Sequence, residues 1–194
     1  MELKDGDRYM DIGVEQAVIT PLHPDTLHNF GPASSRDTVV YTCERPGGET
    51  STGDKLKTIE KVREWKDFMS HPDRNIKHVI ILLGDDELED YEDPGLIEAY
   101  KAVGVTAHHI PYTSENSFSK IMAVLDEVAG KGERVVAHCT HGMGRSGRIA
   151  AGWLVHKYGL TAEEASEEVL ATARANGVER MGAPTQLTLW MEKK

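Results

Sequence analysis

The chain has 194 residues, the length of one ordinary domain, and its 39% hydrophobic and 28% charged residues exclude a disordered or fibrous protein. The formal net charge of -10 argues against a protein that coats nucleic acid with a basic surface, but it does not exclude a small basic pocket. Two cysteines, Cys43 and Cys139, are too few for a disulfide framework. Because the N-terminus is charged and no apolar run is long enough to span a bilayer, we expect a soluble cytoplasmic protein without a membrane partner.

The first half of the chain predicts two strands separated by a helix. Residues 1–37 are mixed in character and interrupted by prolines, so we expect an irregular N-terminal extension that packs on the core. A β-branched run predicts a strand at 38–43, and apolar residues spaced by three and four predict a helix at 55–69 with Asp54 as its N-cap. A continuous apolar run then predicts a buried parallel strand at 78–83.

The second half continues the alternation of strands and helices. The acid-rich stretch DDELEDYED at 85–93 predicts a solvated loop and the start of a helix that continues over 96–103. Strands at 105–110 and 134–139 flank a helix at 118–128. This alternation predicts an α/β fold, a central mostly parallel sheet flanked by helices, in which catalytic groups gather at the carboxyl ends of the strands.

Three further helices are predicted to complete the domain, which we place at residues 38–194. The first spans about 146–158 and ends at Gly159. The second begins at Thr161, which forms a capping box with the glutamate three residues later. The third begins near Pro184, a residue suited to the first position of a helix.

One segment, HCTHGMGRSG at 138–147, carries the chemistry. Cys139 ends a buried strand, a turn with two glycines follows, and Arg145 begins a helix. Inward-facing amides of such a turn, the helix N-terminus and a guanidinium fork together bind a phosphate group. Such surroundings lower the pKa of a cysteine thiol, so Cys139 is the candidate nucleophile for attack on phosphorus. The hydroxyl of Ser146 is suited to hydrogen-bond the sulfur as it leaves. The candidate phosphate-binding residues are Thr140, His141, Gly142, Met143, Gly144 and Arg145.

No metal or cofactor is expected at this segment. The guanidinium of Arg145 and the backbone amides neutralise the phosphate oxygens without a cation. A metal site built from His138, Cys139 and His141 is disfavoured, because it would place Arg145 beside the cation.

The segment HCTHGMGRSG resembles the HCxxGxxR(S/T) signature of the cysteine-dependent protein tyrosine phosphatases, and of their dual-specificity group in particular. Residues 76–112 resemble the region that precedes the signature in the cyclin-dependent-kinase-associated phosphatases, whereas residues 1–37 carry no resemblance that we can place. The resemblance implies Cys139 as nucleophile, Arg145 as phosphate ligand and Ser146 as leaving-group hydroxyl. It also implies hydrolysis of phosphate monoesters, above all phosphotyrosine in phosphoproteins with phosphoserine and phosphothreonine second, through a cysteinyl-phosphate.

The sequence departs from this family at the general acid, an aspartate on a loop before the cysteine. Ser114 stands about where the aspartate is expected, and a serine is far too weak an acid for the role. The adjacent Glu115 is our first candidate for the proton donor. The second candidate lies in Asp85-Asp86-Glu87, which follows a core strand at the same edge of the sheet, and within it we favour Asp86 with its neighbour Asp85. The third alternative is that the protein has no dedicated acid.

The missing aspartate leaves a second function open. HCTHG and TSENSF, at 113–118, resemble the RNA 5′-triphosphatase branch of the superfamily, which dispenses with the aspartate because its leaving group is a phosphate. Gly144, where those enzymes usually have asparagine, and the net charge of -10 count against an RNA partner. A phosphate-binding pseudoenzyme is a third hypothesis, which the intact Cys139, Arg145 and Ser146 disfavour. For Cys43 we expect a core position, with a resolving thiol as the alternative.

Overall fold

The structure, a computed structural model, describes residues 17–48 and 57–193. In chain order its elements are β1 (Val18–Ile19), β2 (Gly31–Pro32), β3 (Val40–Glu44), α1 (Ile59–Ser70), β4 (Ile76–Ile81), α2 (Asp85–Leu88), α3 (Leu96–Ala102), β5 (Thr106–His109), α4 (Ser117–Gly130), β6 (Arg134–Cys139), α5 (Gly144–Tyr158), α6 (Ala162–Asn176), β7 (Met181–Gly182) and α7 (Pro184–Glu192). A 3₁₀ turn, Leu27–Asn29, precedes β2.

The central sheet has five strands in the order β2-β3-β6-β4-β5. The edge strand β2 is antiparallel to β3, and the other neighbouring pairs are parallel. A separate antiparallel pair is formed by β1 and β7. The predicted α/β class with a mostly parallel sheet is therefore confirmed. Because β6 lies in the centre, the segment that follows Cys139 emerges between the carboxyl ends of β3 and β4.

Helices cover both faces of the sheet. Alternate residues of β6 enter opposite cores, because side chains alternate along a strand: Val135, Ala137 and Cys139 face one way and Val136 the other. The first core is built with residues of α4, α5, α6 and α7, and the second with residues of α1 and α3. Burial on both faces explains the apolar runs in the central strands, at 79–81 of β4 and 135–137 of β6.

Helix α1 begins later than the sequence pattern predicts. Thr58 is its N-cap, and the side chain of Thr58 accepts a hydrogen bond from the backbone N–H of Lys61. The preceding residue, Lys57, instead forms an extended bridge with Tyr91, which takes its backbone out of the helix. The predicted N-cap at Asp54 lies outside the described residues.

The helix-end signals of the C-terminal part are confirmed. Gly159 ends α5 with a φ of 69°, in the left-handed region that favours glycine. Thr161 and Glu164 exchange hydrogen bonds of 3.2 Å and 2.9 Å in a capping box at the start of α6. Pro184 is the first residue of α7.

Asp37 joins the beginning of β3 to α5. Its Oδ1 accepts hydrogen bonds from the backbone N–H groups of Val39 and Val40, at 2.9 and 2.7 Å. Its Oδ2 accepts from Trp153 Nε1 at 2.8 Å and from the Tyr158 hydroxyl at 3.0 Å. The side chain is 6% exposed, so water does not replace these contacts readily. The division of the chain between residues 37 and 38 stays a prediction.

Replacing this buried acceptor should destabilise the whole domain. We expect Asp37→Ala to lower the free energy of unfolding by about 2–4 kcal/mol, because buried donors in β3 and α5 lose their partner. Urea denaturation measures the loss. The matched control is Asp73→Ala, since the Asp73 side chain is 85% exposed. Equal stability of the two variants would contradict the role of Asp37.

Candidate active site

Cys139 is the last residue of β6 and is 1% exposed. Residues 140–143 form a tight loop, and α5 begins at Gly144, earlier than predicted. Arg145 and Ser146 therefore lie in the first turn of α5. The positive end of the α5 dipole is directed toward the loop, which favours an anion there.

Ser146 contacts the sulfur of Cys139. Its Oγ lies 3.2 Å from Cys139 Sγ and 3.2 Å from the backbone oxygen of Cys43. The hydroxyl has one proton to donate, so it is able to serve either the carbonyl or a cysteine thiolate. This geometry matches the leaving-group role that the resemblance implies for Ser146.

Gly142 fits the loop onto the end of β3. Its φ is 72°, and a Cβ at this position would lie 2.5 Å from the backbone nitrogen of Glu44. The same Cβ would lie 2.6 Å from the carbonyl carbon of Cys43. Both the conformation and the close approach require glycine. The loop thus rests directly on the backbone of the neighbouring strand.

Arg145 is held by a two-pronged ion pair with Glu87 of α2. Arg145 Nη1 donates to Glu87 Oε2 and Nη2 donates to Oε1, each at 2.7 Å. The hydroxyl of Thr140 accepts from Arg145 Nη2 at 2.8 Å and hydrogen-bonds the same carboxylate. The backbone N–H of Gly84 donates to Glu87 Oε2 at 2.9 Å. These bonds fix the plane of the guanidinium beside the loop.

His138, the residue before the cysteine, is fully buried. Its Nε2 is 3.1 Å from the Tyr100 hydroxyl, and its ring meets the edge of Trp65 at a centroid distance of 5.8 Å. Burial, with the positive charges of Arg45 and Arg145 second, lowers the pKa of His138 to about 3. The imidazole is therefore neutral at pH 7 and acts as a packing and hydrogen-bonding group.

The comparisons with known proteins agree with this arrangement. The family model of the dual specificity phosphatase catalytic domain matches residues 67–193, more than half of the chain. The chain belongs to the dual specificity phosphatase family. It is therefore a cysteine-dependent phosphatase that acts on phosphate esters, as the resemblance of its signature implies.

Solved structures share the fold of this phosphatase. Kinase associated phosphatase, with serine in place of its catalytic-site cysteine, has a TM-score of 0.64 at 22% identity, covering 89% of this chain and 94% of its own. PTPMT1 in complex with PI(5)P has a TM-score of 0.60 at 18% identity, covering 84% and 92%. Tk-PTP in its active form has a TM-score of 0.58 at 21% identity, covering 86% and 98%. No curated protein sequence matches the chain.

Glu87 belongs to the stretch that holds the second proton-donor candidate, but its role at this site is one that the sequence did not predict. Burial alone would raise its pKa, but the hydrogen bonds and charge of Arg145, with Thr140 and Gly84, lower it to about 2. A carboxylate that stays ionised does not protonate a leaving group, so Glu87 is the counter-charge of Arg145. The available signal was an acidic residue shortly after the strand beside the phosphate-binding segment.

The predicted proton donors lie at the surface. Glu115 is exposed on the loop between β5 and α4, next to the half-buried Ser114. Asp85 and Asp86 are exposed in the first turn of α2. Asp86 folds back on its own helix, since a Cβ on Gly84 would lie 2.6 Å from Asp86 Oδ1. The structure thus brings Glu87, and not its two aspartate neighbours, onto Arg145.

Arg45 is a residue that the sequence did not single out. It follows β3, is 4% exposed, and its backbone N–H donates to the backbone oxygen of Cys139 at 2.8 Å. Its guanidinium pairs with Asp90 at 2.6 Å and donates to the backbone oxygen of Glu87 at 3.2 Å. Arg45 therefore ties the acid-rich stretch to the end of the central strand.

Cys43 packs in the core on the other side of the sheet from Cys139. Cys43 belongs to the core built with α1 and α3, and Cys139 to the core built with α4 and α5. Burial raises the pKa of the Cys43 thiol well above its usual value. Because a disulfide needs the two sulfurs on one side, these positions support the core role over the resolving thiol.

Neither a metal cluster nor a membrane span is found in residues 17–48 and 57–193. No three His, Cys, Asp or Glu side chains within these ranges are grouped to hold a metal ion. No helix there is both long and apolar enough to cross a bilayer.

The ion pair of Glu87 should make the stability of the phosphatase depend on pH. The pKa of Glu87 falls from 4.5 to about 2 on folding, so its stabilisation is complete above pH 4.5 and is lost as the pH falls toward 2. We therefore expect Glu87→Gln to be less stable than the wild type at pH 7, with a difference that shrinks between pH 5 and pH 2. Urea denaturation at several pH values measures it.

The control for this series is Glu89→Gln, which alters an exposed carboxylate of the same stretch. The Glu89 variant should follow the wild-type pH dependence. A stability difference for Glu87→Gln that stays constant from pH 7 to pH 2 would argue against the ionised pair.

Proposed function

We propose that this phosphatase hydrolyses phosphotyrosine in proteins through a covalent cysteinyl-phosphate on Cys139. The supporting observation is that Cys139 Sγ lies 3.2 Å from the hydroxyl of Ser146, while the Glu87-held guanidinium of Arg145 donates at 2.8 Å to Thr140, the residue after Cys139. A nucleophile, a leaving-group donor and a phosphate ligand are thereby placed on one short segment.

In the first step, the phosphate group of the substrate binds the loop of residues 140–145, with its oxygens on backbone amides and on Arg145. The thiolate of Cys139 attacks phosphorus, so that an S–P bond forms as the bond to the phenolic oxygen breaks. The leaving oxygen departs as a phenolate and takes its proton from solvent water. The fixed guanidinium neutralises the negative charge on the transferring group without reorganisation.

In the second step, the oxygen of a water molecule attacks phosphorus and the S–P bond breaks, which releases inorganic phosphate, and the second proton of the water passes to the solvent. The sulfur leaves as a thiolate and accepts the hydrogen bond of Ser146, 3.2 Å away. The same hydroxyl turns from the backbone oxygen of Cys43 to do so. Cys139 is then ready for another cycle.

The missing aspartate favours phosphotyrosine over phosphoserine. The phenol of tyrosine has a pKa of about 10, well below that of an aliphatic alcohol, so it leaves with less help from an acid. Ser114 supplies no such acid. We assign Glu115 to protonate leaving groups that need it, since its exposed loop position allows it to turn toward a bound substrate.

A phosphoprotein suits the rim of the site better than RNA does. Asp85 and Asp86 are exposed on α2, the helix that supplies the partner of Arg145, and their charges repel an extended polyanion. This disfavours the RNA 5′-triphosphatase alternative. We also propose a reducing cytoplasmic location, because Cys139 has to stay a thiol to act.

A panel of substrates tests the proposed function. We expect fastest turnover with a phosphotyrosine peptide, slower turnover with a phosphoserine peptide, and least with a phosphoinositide or triphosphate-ended RNA. Cys139→Ser should lose at least about a thousandfold in turnover, because the nucleophile is gone. Release of phosphate is the measurement. Substantial activity in the serine variant would refute the cysteinyl-phosphate, and fastest cleavage of the RNA would favour the triphosphatase.

The proton-donor role of Glu115 has its own test. Glu115→Gln should slow hydrolysis of a phosphoserine peptide by about a hundredfold, the usual size of general-acid catalysis. It should leave 4-nitrophenyl phosphate nearly unchanged, because that leaving group needs no proton. Asp86→Asn is the matched control and should affect neither substrate. Equal slowing of both substrates by Glu115→Gln would count against the assignment.

A further inference from the structure

The side chain of Asn29 reaches the phosphate-binding loop from the N-terminal segment. Asn29 is 3% exposed, and its Nδ2 donates to the backbone oxygen of His141 at 3.0 Å. The same nitrogen donates to the backbone oxygen of Glu179 at 3.1 Å, and Asn29 Oδ1 accepts from the Glu179 N–H at 2.8 Å. Because the side-chain nitrogen donates to backbone oxygens and the side-chain oxygen accepts from a backbone N–H, the orientation of the Asn29 amide is determined.

The backbone of Asn29 has a left-handed conformation and is also held by a hydrogen bond. Its φ is 48°, in the left-handed region that asparagine tolerates better than most residues. Its backbone oxygen accepts from Arg180 Nη2 at 2.9 Å. Arg180 is 1% exposed and also donates to the side chain and backbone oxygens of Thr42, at 2.9 and 2.7 Å. A buried cation thus connects Asn29 to β3, the strand on which the loop rests.

The hydrogen bond to His141 sets the direction of a neighbouring amide. In a trans peptide the C=O of one residue and the N–H of the next point in opposite directions. With the His141 oxygen held toward Asn29, the N–H of Gly142 points away from it. Gly142 at the same time packs against the end of β3, so the peptide has little room to rotate.

We propose that Asn29 is a positioning residue that directs the Gly142 amide toward the bound phosphate. It touches no reacting atom and acts through the His141–Gly142 peptide. The inference rests on the proposed function, in which residues 140–145 bind the phosphate group. Asn29 precedes residue 67, where the family match begins, so the match does not cover it.

The test removes the amide donor of Asn29 in two ways. Asn29→Asp places a carboxylate oxygen against the carbonyls of His141 and Glu179, and Asn29→Gly removes the side chain but tolerates the left-handed conformation. Asn75→Asp is the matched control, because Asn75 has a φ of 50°, is exposed and precedes the amino end of β4, whereas the loop follows the carboxyl end of β6.

Two measurements are made on each variant of the full chain. One is kcat and KM with a phosphotyrosine peptide. The other is the concentration of inorganic phosphate that protects Cys139 from alkylation by iodoacetamide, which requires no turnover. Losing an amide hydrogen bond to a charged phosphate should weaken phosphate protection roughly tenfold in both Asn29 variants and lower kcat/KM by a similar factor. Asn75→Asp should match the wild type in both.

The outcomes separate this proposal from the proposed function. Phosphate protection within twofold of the wild type in Asn29→Gly would overturn the positioning role, whatever happens to kcat. If Asn29→Asp fails to fold, Asn29→Gly decides the question by the same two measurements. A wild-type protein that phosphate protects but that releases no phosphate from the peptide would refute the proposed function alone, and phosphate protection would still report on Asn29.

Discussion

The paired guanidinium of Arg145 is the constraint on which the site depends. A buried cation beside a phosphate-binding loop needs a counter-charge that fixes its plane, and Glu87 supplies one through two bonds of 2.7 Å. Removing either partner would leave the charge of the other buried and unpaired, with little access to water, which is destabilising. The two residues belong to α5 and α2, which follow the adjacent strands β6 and β4. The ion pair therefore depends on the order of strands in the sheet.

The remaining contacts restrain the loop from its other side. Gly142 lies on the end of β3, and Asn29 holds the oxygen of His141 from the N-terminal segment. The loop is thus enclosed by the ends of three neighbouring parallel strands, with β6 between β3 and β4. Pre-orientation of this kind lets backbone amides stabilise charge without the cost of rearrangement in each catalytic cycle.

The charge distribution explains how a protein with a net charge of -10 accommodates an anion. Two buried arginines near the loop, Arg45 and Arg145, are each paired with a carboxylate of the acid-rich stretch. Other acids of that stretch, Asp85, Asp86, Glu89 and Asp93, are exposed to solvent. The positive field is therefore local and directed by the end of α5, while the exterior stays acidic.

The sequence by itself determined the α/β class and placed Cys139, Arg145 and Ser146 at one site, because these residues lie within one turn and the start of one helix. Strand and helix periodicity are likewise local properties of the chain. The tertiary structure alone decided that Glu87, 58 residues from Arg145, and Asn29, 112 residues from His141, complete the site. It also displaced the start of α1, since Lys57 pairs with Tyr91. Such contacts depend on which strands become neighbours, and no local pattern encodes that.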